Sequence, residues 1–319
     1  MSSEQVDVAG VGLNATDTVM LVQSFPSLGG KERVASVSRQ AGGQVATAMV
    51  ACRRLGLTAR YLGTVGDDDA GRFQMESLVR EGVDAGRVRI TTGTPTQFGF
   101  IIVDASTGER TVFWDRDPRL AMKADEVFAD DILTARAVLL DGCDVSACLA
   151  AAQYARRAGI PVLADLDTAY ENVETLFPSI DHMLASTNFL PAATGESDPF
   201  RALEMMVQEY KMTTAGMTIG EDGSLVFTGG RFIYSPGFVV ETVDTTGAGD
   251  VFRGAFIHGL LSGWTMELIL EFSNAMAALN CTALGARGGI HSETEAVALI
   301  KNGARHVHRE YAQAAGVKG

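Results

Sequence analysis

Short apolar runs alternate along most of this chain with longer segments of helical period, and glycine turns separate them. Residues 6–11 predict a first strand, and residues 146–158 predict a helix that ends before Gly159. Strands joined by helical crossovers form mostly parallel sheets with helices on both faces. The sequence therefore predicts a three-layer α/β/α fold that binds its ligand at the carboxyl ends of the strands. The other predicted strands are 59–65, 137–140, 161–165, 182–185 and 215–219, and the other predicted helices are 42–55, 71–81 and 200–210.

Two stretches interrupt this alternation. Residues 18–37 contain Pro26 and paired glycines with little helical period, and residues 97–114 alternate in the manner of a hairpin. Such strands favour a small antiparallel sheet outside the main one. We therefore expect one domain over residues 1–319 with a β lid inserted within about 18–38 and 97–115, which would also pair two subunits in a homodimer. A plain edge hairpin is the alternative, and the tail from about Tyr311 is expected to fray.

Charge and composition narrow the class of partner. The formal net charge of -13 disfavours a general nucleic-acid binder, because such proteins need a basic face. No apolar run is long enough to span a bilayer, and the start of the chain lacks a secretory pattern. The four cysteines have no metal-binding spacing, which favours reduced, buried thiols. We expect a cytoplasmic protein that binds a small molecule, without membrane or nucleic acid.

Residues 244–257 join a polar, glycine-rich turn to an apolar helix, with the sequence Asp-Thr-Thr-Gly-Ala-Gly-Asp-Val-Phe-Arg-Gly-Ala-Phe-Ile. Gly247 and Gly249 allow the backbone to approach a ligand closely. The first amides of a helix lack intrahelical partners, and the helix dipole adds positive charge there. With Ala248, this turn predicts an anion site for a phosphoryl group, beside which Asp250 would accept a hydroxyl proton. The alternative is that Asp250 only caps the helix.

The segment 244–250 resembles the second signature of the ribokinase family, the PfkB-type carbohydrate kinases. Residues 42–71 resemble the first signature, from Gly42-Gly43 to Gly71, and the resemblance extends over about 6–290. It implies a ribokinase-like fold that transfers the γ-phosphate of ATP, with Mg²⁺, to a sugar hydroxyl. In that family the residue matching Asp250 is the base, and the glycines before it form the anion hole.

The resemblance also implies a sugar site. Asp17 matches the family's sugar-binding aspartate, whose carboxylate can accept from a diol, although a solvated loop acid is the alternative. Gln44 stands where the family commonly has asparagine, which implies a reshaped pocket. Arg116, after the lid hairpin, is either a contact for an anionic or polyhydroxy substrate or a surface arginine. The predicted substrate-binding residues are Asp17, Gly42, Gly43, Gln44, Thr47 and Arg116.

On the nucleotide side, the family's Asn-x-x-Glu is replaced by Ser186 and Phe189, which puts the usual magnesium network in doubt. Asp165, with Asp167, is a candidate for Mg²⁺, or else a solvated acid at the end of a strand. The Ser-x-x-Phe variant resembles a branch with ketose kinases, so a ketose is favoured. The predicted nucleotide-binding residues are Ser186, Thr218, Gly220, Gly223 and Asn274.

Many family members bind a monovalent cation beside the anion hole. Asp244 and Thr246 match two of its ligands, and residues 283–290 would supply carbonyls for K⁺. Three other functions compete with a sugar kinase: a nucleoside kinase of the same fold, a nucleotide-binding sensor or pseudo-kinase without turnover, and a dinucleotide-dependent oxidoreductase. The last is disfavoured because Gly10 and Gly12 are followed by extended sequence rather than by a helix.

Overall fold

The computed structural model describes residues 4–316. The strands are β1 Val6–Val11, β2 Ala15–Val22, β3 Val34–Gly42, β4 Ala59–Leu62, β5 Thr64–Gly66, β6 Arg89–Thr91, β7 Phe98–Asp104, β8 Arg110–Asp115, β9 Ala135–Leu140, β10 Val162–Leu166, β11 His182–Ser186, β12 Thr214–Thr218, β13 Ser224–Thr228, β14 Arg231–Ser235, β15 Gly237–Phe238 and β16 Arg305–His306. The α-helices are α1 Gln44–Arg54, α2 Asp69–Arg80, α3 Ala129–Leu133, α4 Val145–Arg157, α5 Phe189–Thr194, α6 Pro199–Tyr210, α7 Ala248–Leu261, α8 Met266–Asn280, α9 Glu293–Asn302 and α10 Arg309–Ala314.

Eight strands form the main sheet, in the order β14-β13-β12-β11-β10-β9-β1-β4. All neighbours pair in parallel from β12 to β4, and only β13 and β14 run antiparallel. Side chains of β9 alternate between two cores: Val138 and Leu140 pack with α4 to α6, whereas Ala137 and Leu139 pack with α1, α7 and α8. This alternation follows from the two-residue period of a strand covered on both faces. The predicted three-layer α/β/α fold is therefore confirmed.

The single strand predicted over 59–65 is wrong, because the chain leaves the main sheet at Gly63. β4 pairs with β1 in the main sheet, whereas β5 pairs with β6 in a separate two-stranded sheet. The buried Tyr61 hydroxyl fills the space beside Gly63, where a Cβ would lie 2.0 Å from it. That hydroxyl donates to the Gly12 carbonyl at 2.6 Å, so one aromatic side chain fixes the point where the strand breaks.

A second sheet, which we call the lid sheet, consists of β3, β2, β7 and β8 in that order. β2 pairs antiparallel with β3 and parallel with β7, and β7 and β8 form the predicted hairpin. On its inner face Val19, Ile101 and Val103 pack together with Leu284 of the main body. On its outer face Val37, Phe100 and Phe113 are exposed. The lid strands extend beyond the predicted 18–38 segment at both ends, since Asp17 and Gly42 belong to β2 and β3.

The expected fraying from Tyr311 is wrong for residues 309–314, which form α10. The Tyr311 ring packs 5.8 Å from the ring of Phe200 and 6.0 Å from that of Tyr234, measured between centroids. Burial of aromatic surface therefore holds this helix on the body of the protein. Residues 317–319 of the expected frayed tail lie outside the described residues. Within residues 4–316, no helix has both the length and the apolar character needed to cross a bilayer.

Candidate active site

The start of α7 has a backbone conformation that only glycine adopts readily. Gly247 precedes the helix with φ 75°, and no side chain caps the helix there. A Cβ on Gly247 would lie 2.4 Å from the Ala286 carbonyl oxygen. Both the left-handed φ and this close approach exclude a larger residue. The first amides of α7 thus face away from the helix without a side-chain partner, which suits them to bind an anion.

This helix start opens into a cleft of about 860 Å³ between the carboxyl edge of the main sheet and the lid hairpin. The cleft brings together predicted residues that are more than 200 positions apart in the sequence, because strands β10 to β12 end at the same edge. The predicted residues that line it are Gln44, Asp165, Ser186, Thr218, Gly220, Gly223, Gly247, Ala248, Gly249, Asp250 and Asn274.

Asp250 lies on the wall of the cleft in the first turn of α7. Desolvation within the cleft raises the pKa of its carboxyl well above the ordinary value, and the nearby Asp165 adds to this rise. Arg253 is the largest opposing influence, and Arg110 also lowers the pKa. A carboxylate tuned upward in this way accepts a proton more readily than a surface aspartate does.

A buried ion pair that the sequence analysis did not predict lies beneath Asp250. Arg253 Nε lies 2.9 Å from Asp165 Oδ1, and both side chains are at most 4% exposed. Burial raises the pKa of Asp165 to about 6, while Arg253 opposes the rise. An arginine one turn after Asp250 in an otherwise apolar helix was the signal that could have revealed the pair. Because its carboxylate is already paired, the role of Asp165 toward Mg²⁺ stays a prediction.

Asp17 points from the inner face of the lid sheet toward the glycines before α1. A Cβ would lie 2.1 Å from its carboxylate if built on Gly42, and 2.5 Å if built on Gly99. Burial raises the pKa of Asp17 to about 7, and only Arg287 opposes the rise. No hydrogen-bond donor within residues 4–316 reaches this carboxylate. Asp17, Gly42 and Gly43 do not line the main cleft themselves, but they adjoin Gln44, which does.

Two predicted substrate contacts have protein partners instead. The fully buried Thr47 hydroxyl accepts from Arg287 Nε at 3.3 Å. Arg116 donates to both carboxylate oxygens of Asp144, at 2.9 and 2.7 Å. Neither residue lines the cleft, and direct contact of either side chain with a substrate stays a prediction.

The end of the cleft that contains the predicted nucleotide-binding residues is built from close backbone contacts. Gly223 has φ 98°, and a Cβ there would lie 2.1 Å from the Ser235 carbonyl oxygen. Asn274 on α8 donates to that same carbonyl at 2.8 Å, which joins the turn to the helix. Ser186 donates to the Asp167 carbonyl at 3.3 Å, whereas Phe189 is 1% exposed and packs in the core away from the cleft. The side chain at this position therefore contributes no carboxylate to the cleft.

The lid hairpin contributes residues that sequence reasoning also missed. Thr107, Glu109 and Arg110 line the cleft from the lid side. Arg110 Nη1 donates to the Thr245 hydroxyl at 2.7 Å, which places a cation next to the anion-binding turn. No local sequence signal marked Arg110, because its partner lies 135 positions away in the chain.

The predicted monovalent-cation ligands lie buried behind the same turn. Asp244 Oδ1 accepts from the amide and hydroxyl of Thr246 at 2.8 and 2.6 Å, and its Oδ2 accepts from the Gly285 amide at 2.8 Å. Asn280 Nδ2 donates to the carbonyls of Thr246 and Ala286 at 3.1 and 3.2 Å. Asn280 Oδ1 is buried without a donor among the described residues. This unsatisfied acceptor, close to a buried carboxylate, is compatible with a cation.

An open helix start and a carboxyl of raised pKa that share one cleft under a β lid are the features expected of a phosphotransferase. The chain belongs to the pfkB family of carbohydrate kinases, whose model matches residues 6–293. These enzymes transfer phosphate from ATP to a hydroxyl of a sugar.

Proteins of known name support this assignment. The chain is 28% identical to the ATP-dependent ribose-1-phosphate kinase of Halopiger xanaduensis, over 92% of this chain and 98% of that protein. It is 27% identical to fructokinase-2 of Solanum habrochaites, with 92% and 97% covered. A crystal structure of a provisionally named ribokinase from Agrobacterium tumefaciens superposes with a TM-score of 0.87 at 29% identity, covering 94% of this chain and 98% of the other.

Proposed function

We propose that this carbohydrate kinase phosphorylates an uncharged sugar, with Asp250 as the general base and the start of α7 as the anion hole. The observation that carries the proposal is that Asp250 and the uncapped amides of the same helical turn face one cleft. Asp250 would accept the hydroxyl proton while the amides of residues 247–250 stabilise the charge on the transferred phosphoryl group. The sugar would be oriented by Asp17 and by the backbone at Gly42 and Gly43.

ATP and Mg²⁺ fit the residues that line the rest of the cleft. The Gly220 to Gly223 turn, together with Asn274, forms a narrow backbone-lined end suited to a flat nucleobase. Magnesium would offset phosphate charge there, with ATP oxygens, water and the exposed carboxylate of Asp167 as its ligands. Asp165 is the less suitable ligand of the two because Arg253 already neutralises it.

A neutral ketose is the favoured acceptor. Arg116, the residue predicted to reach an anionic substrate, is held by Asp144, which favours an uncharged sugar over a sugar phosphate. Fructokinase-2 is a relative whose name denotes a ketose substrate, whereas the ribose-1-phosphate kinase is named for an anionic one. The variant at Ser186 and Phe189 supports the same choice through its resemblance to ketose kinases.

A substrate panel tests this proposal. ADP release is measured with ATP and Mg²⁺ on fructose, ribose, ribose 1-phosphate and adenosine, and the phosphorylated product is identified by mass spectrometry. We expect the highest kcat/KM with a ketose. Preference for adenosine would favour the nucleoside-kinase alternative, and preference for ribose 1-phosphate would overturn the uncharged substrate. ATP binding without turnover on any acceptor would favour a sensor or pseudo-kinase.

A bound K⁺ behind the anion hole is a further part of the proposal, supported by Asp244, Thr246 and the donor-free Asn280 Oδ1. The cation would hold the 283–290 loop against the turn before α7. Replacing KCl by tetramethylammonium chloride at constant ionic strength is expected to lower kcat several-fold. Equal rates in both salts would remove the cation from the proposal.

We also propose a homodimer formed through the outer face of the lid sheet. Val37, Phe100 and Phe113 are 62%, 45% and 55% exposed, and Phe100 pairs directly with Phe113 across the strands. Adjacent exposed apolar side chains of this kind mark association surfaces. Sedimentation velocity is expected to show a dimer for the parent chain and a monomer for F113E. A parent chain that is monomeric at working concentration would contradict the dimer.

A cytoplasmic location stays a prediction, supported by four free cysteines.

A further inference from the structure

Arg253 is the one arginine on α7, and its side chain is 3% exposed beneath the start of that helix. Nη2 donates to the Leu184 carbonyl on β11 at 3.2 Å. Nη1 donates to the Gly249 carbonyl at 3.2 Å and to the Thr218 hydroxyl at the end of β12 at 3.4 Å. Together with the ion pair to Asp165 on β10, this single side chain reaches three neighbouring strand ends and the anion-binding turn.

Gly249 and Arg253 also fit each other sterically. A Cβ on Gly249 would lie 2.9 Å from Arg253 Nη1. A side chain at this second glycine of the turn would therefore displace the guanidinium beneath it. Loss of the guanidinium would free the Gly249 carbonyl and leave space under the turn, so the amides that bind the phosphoryl group would lose their fixed direction.

The charge around Asp250 explains why a buried cation is needed here. Asp165 and Asp167 both raise the pKa of Asp250, and Asp167 also raises that of Asp165. Three arginines interact electrostatically with Asp250: Arg253, Arg110 on the lid sheet, and Arg287 near Gly42. Arg253 lowers the pKa of Asp250 more than Arg110 does. Of these, Arg253 alone is both buried and in contact with one of the carboxylates.

We propose that Arg253 is the positioning residue of this catalytic centre: it fixes the Gly249 carbonyl and places a buried positive charge next to the carboxylates of the cleft. This inference rests on the proposed role of Asp250 as base. It assigns to Arg253 an effect on turnover and on the pH profile, beyond a role in holding α7 on the sheet. A buried ion pair is weak evidence for stability by itself, so a functional reason for keeping it is physically reasonable.

Kinetics of R253M provide the first test, because methionine keeps an unbranched stem of similar length without charge. We expect kcat to fall about 10- to 1,000-fold, the range for loss of one stabilising group in such a site, with KM for ATP changed less than about threefold. The acid limb of kcat/KM should move to higher pH by about one unit, since Asp250 loses its nearest cation. D165N should move the same limb to lower pH, and R253M/D165N should lie between them.

Arg60 provides a matched control. It is also 2% exposed, pairs with Asp84 at 2.8 Å and donates to the Thr134 hydroxyl at 2.9 Å, but it does not line the cleft. R60M should lower the melting temperature without moving the pH profile. Equal kinetic losses in R60M and R253M, or an unmoved acid limb in folded R253M and D165N, would overturn the proposal. If R253M does not fold, R253K and D165N carry the same test.

A second readout does not depend on turnover and so separates this inference from the proposed function. The difference in melting temperature between the parent chain and D250N is measured from pH 5 to 9. A carboxyl with a raised pKa stabilises the fold below its unfolded pKa and loses this contribution as pH rises through the folded pKa. The parent should lose stability relative to D250N at one pH. R253M should lose stability relative to R253M/D250N at a higher pH. If the stability difference had the same midpoint pH with and without R253M, the proposed role of Arg253 would be contradicted, even if no sugar acceptor were found.

Discussion

Arg110 on the lid sheet donates a 2.7 Å hydrogen bond to the hydroxyl of Thr245, two residues before the glycine that begins the anion-binding turn. This contact joins the lid to the main body at the place where the phosphoryl group is proposed to pass. It also brings a cation to the cleft from an element outside the main sheet.

From this contact we expect R110A to raise KM for ATP and to lower kcat by about tenfold, because a lid that loses its anchor orients the phosphates less well. Steady-state kinetics with saturating sugar measure both effects. R39A is the control, since Arg39 is also on the lid sheet but pairs with Asp69 of α2 at 2.7 Å. Equal behaviour of R110A and R39A would show that the contact with Thr245 has no part in turnover.

The proposed base gives a second prediction. D250N should keep the fold and bind ATP within about threefold of the parent affinity, because asparagine has the same shape. Its kcat should fall by about 10² to 10⁴, the range for loss of a general base. Calorimetric titration with ATP and a coupled ADP assay measure the two quantities. E109Q, at an exposed acid that lines the same cleft from the lid, is the control and should lose far less.

The parts of this site that were predicted from the sequence depend on local backbone conformation. The turn before α7 needs glycine at Gly247 because of its φ, and that requirement is visible in a run of seven residues. The same holds for the alternation that predicted the main sheet, because a strand covered on both faces is apolar throughout. Such patterns can be recognised in the sequence without knowing which helices and strands pack together.

The parts that were missed depend on partners distant in sequence. Arg253 meets Asp165 across 88 positions, and Arg116 meets Asp144 across 28. The break at Gly63 follows from where the Tyr61 hydroxyl points, which no local propensity specifies. The tertiary fold determines which residues form ion pairs and where buried hydroxyls point, so a single sequence does not reveal these contacts.

The desolvated carboxylate of Asp17 gives a prediction on stability. Its pKa is raised from the ordinary value of 3.8 to about 7 by burial, which Arg287 only partly opposes, and no hydrogen-bond donor within residues 4–316 offsets the cost. A carboxyl of this kind lowers stability as pH rises from 3.8 through 7, so D17N should be the more stable protein at pH 8 and equal at pH 3.5. The upper limit of the gain is about 4 kcal/mol.

Urea unfolding of sugar-free protein at both pH values measures this gain. D125N, at an exposed site on the 3-10 helix Ala124–Glu126, is the control and should change little at either pH. A D17N protein less stable than the parent at pH 8 would mean that the carboxylate has a stabilising partner. Because a bound sugar would supply the missing donors, saturating sugar should remove the advantage of D17N.

The two ends of α7 allow a final prediction on the anion hole, since each end has a glycine with the same left-handed backbone. Gly247 has φ 75° and would place a Cβ 2.4 Å from the Ala286 carbonyl, whereas Gly263 has φ 71° and nothing within 4 Å. Both G247A and G263A should lose about 1 to 2 kcal/mol of stability from the strained φ. Only G247A should also lose turnover, by about 10² or more, because its turn must move away from Ala286 and carry the anion-binding amides with it. Melting temperature and kcat, measured side by side, separate the two effects. If G247A kept the turnover of G263A, the amides at the start of α7 would not be the site of phosphoryl stabilisation.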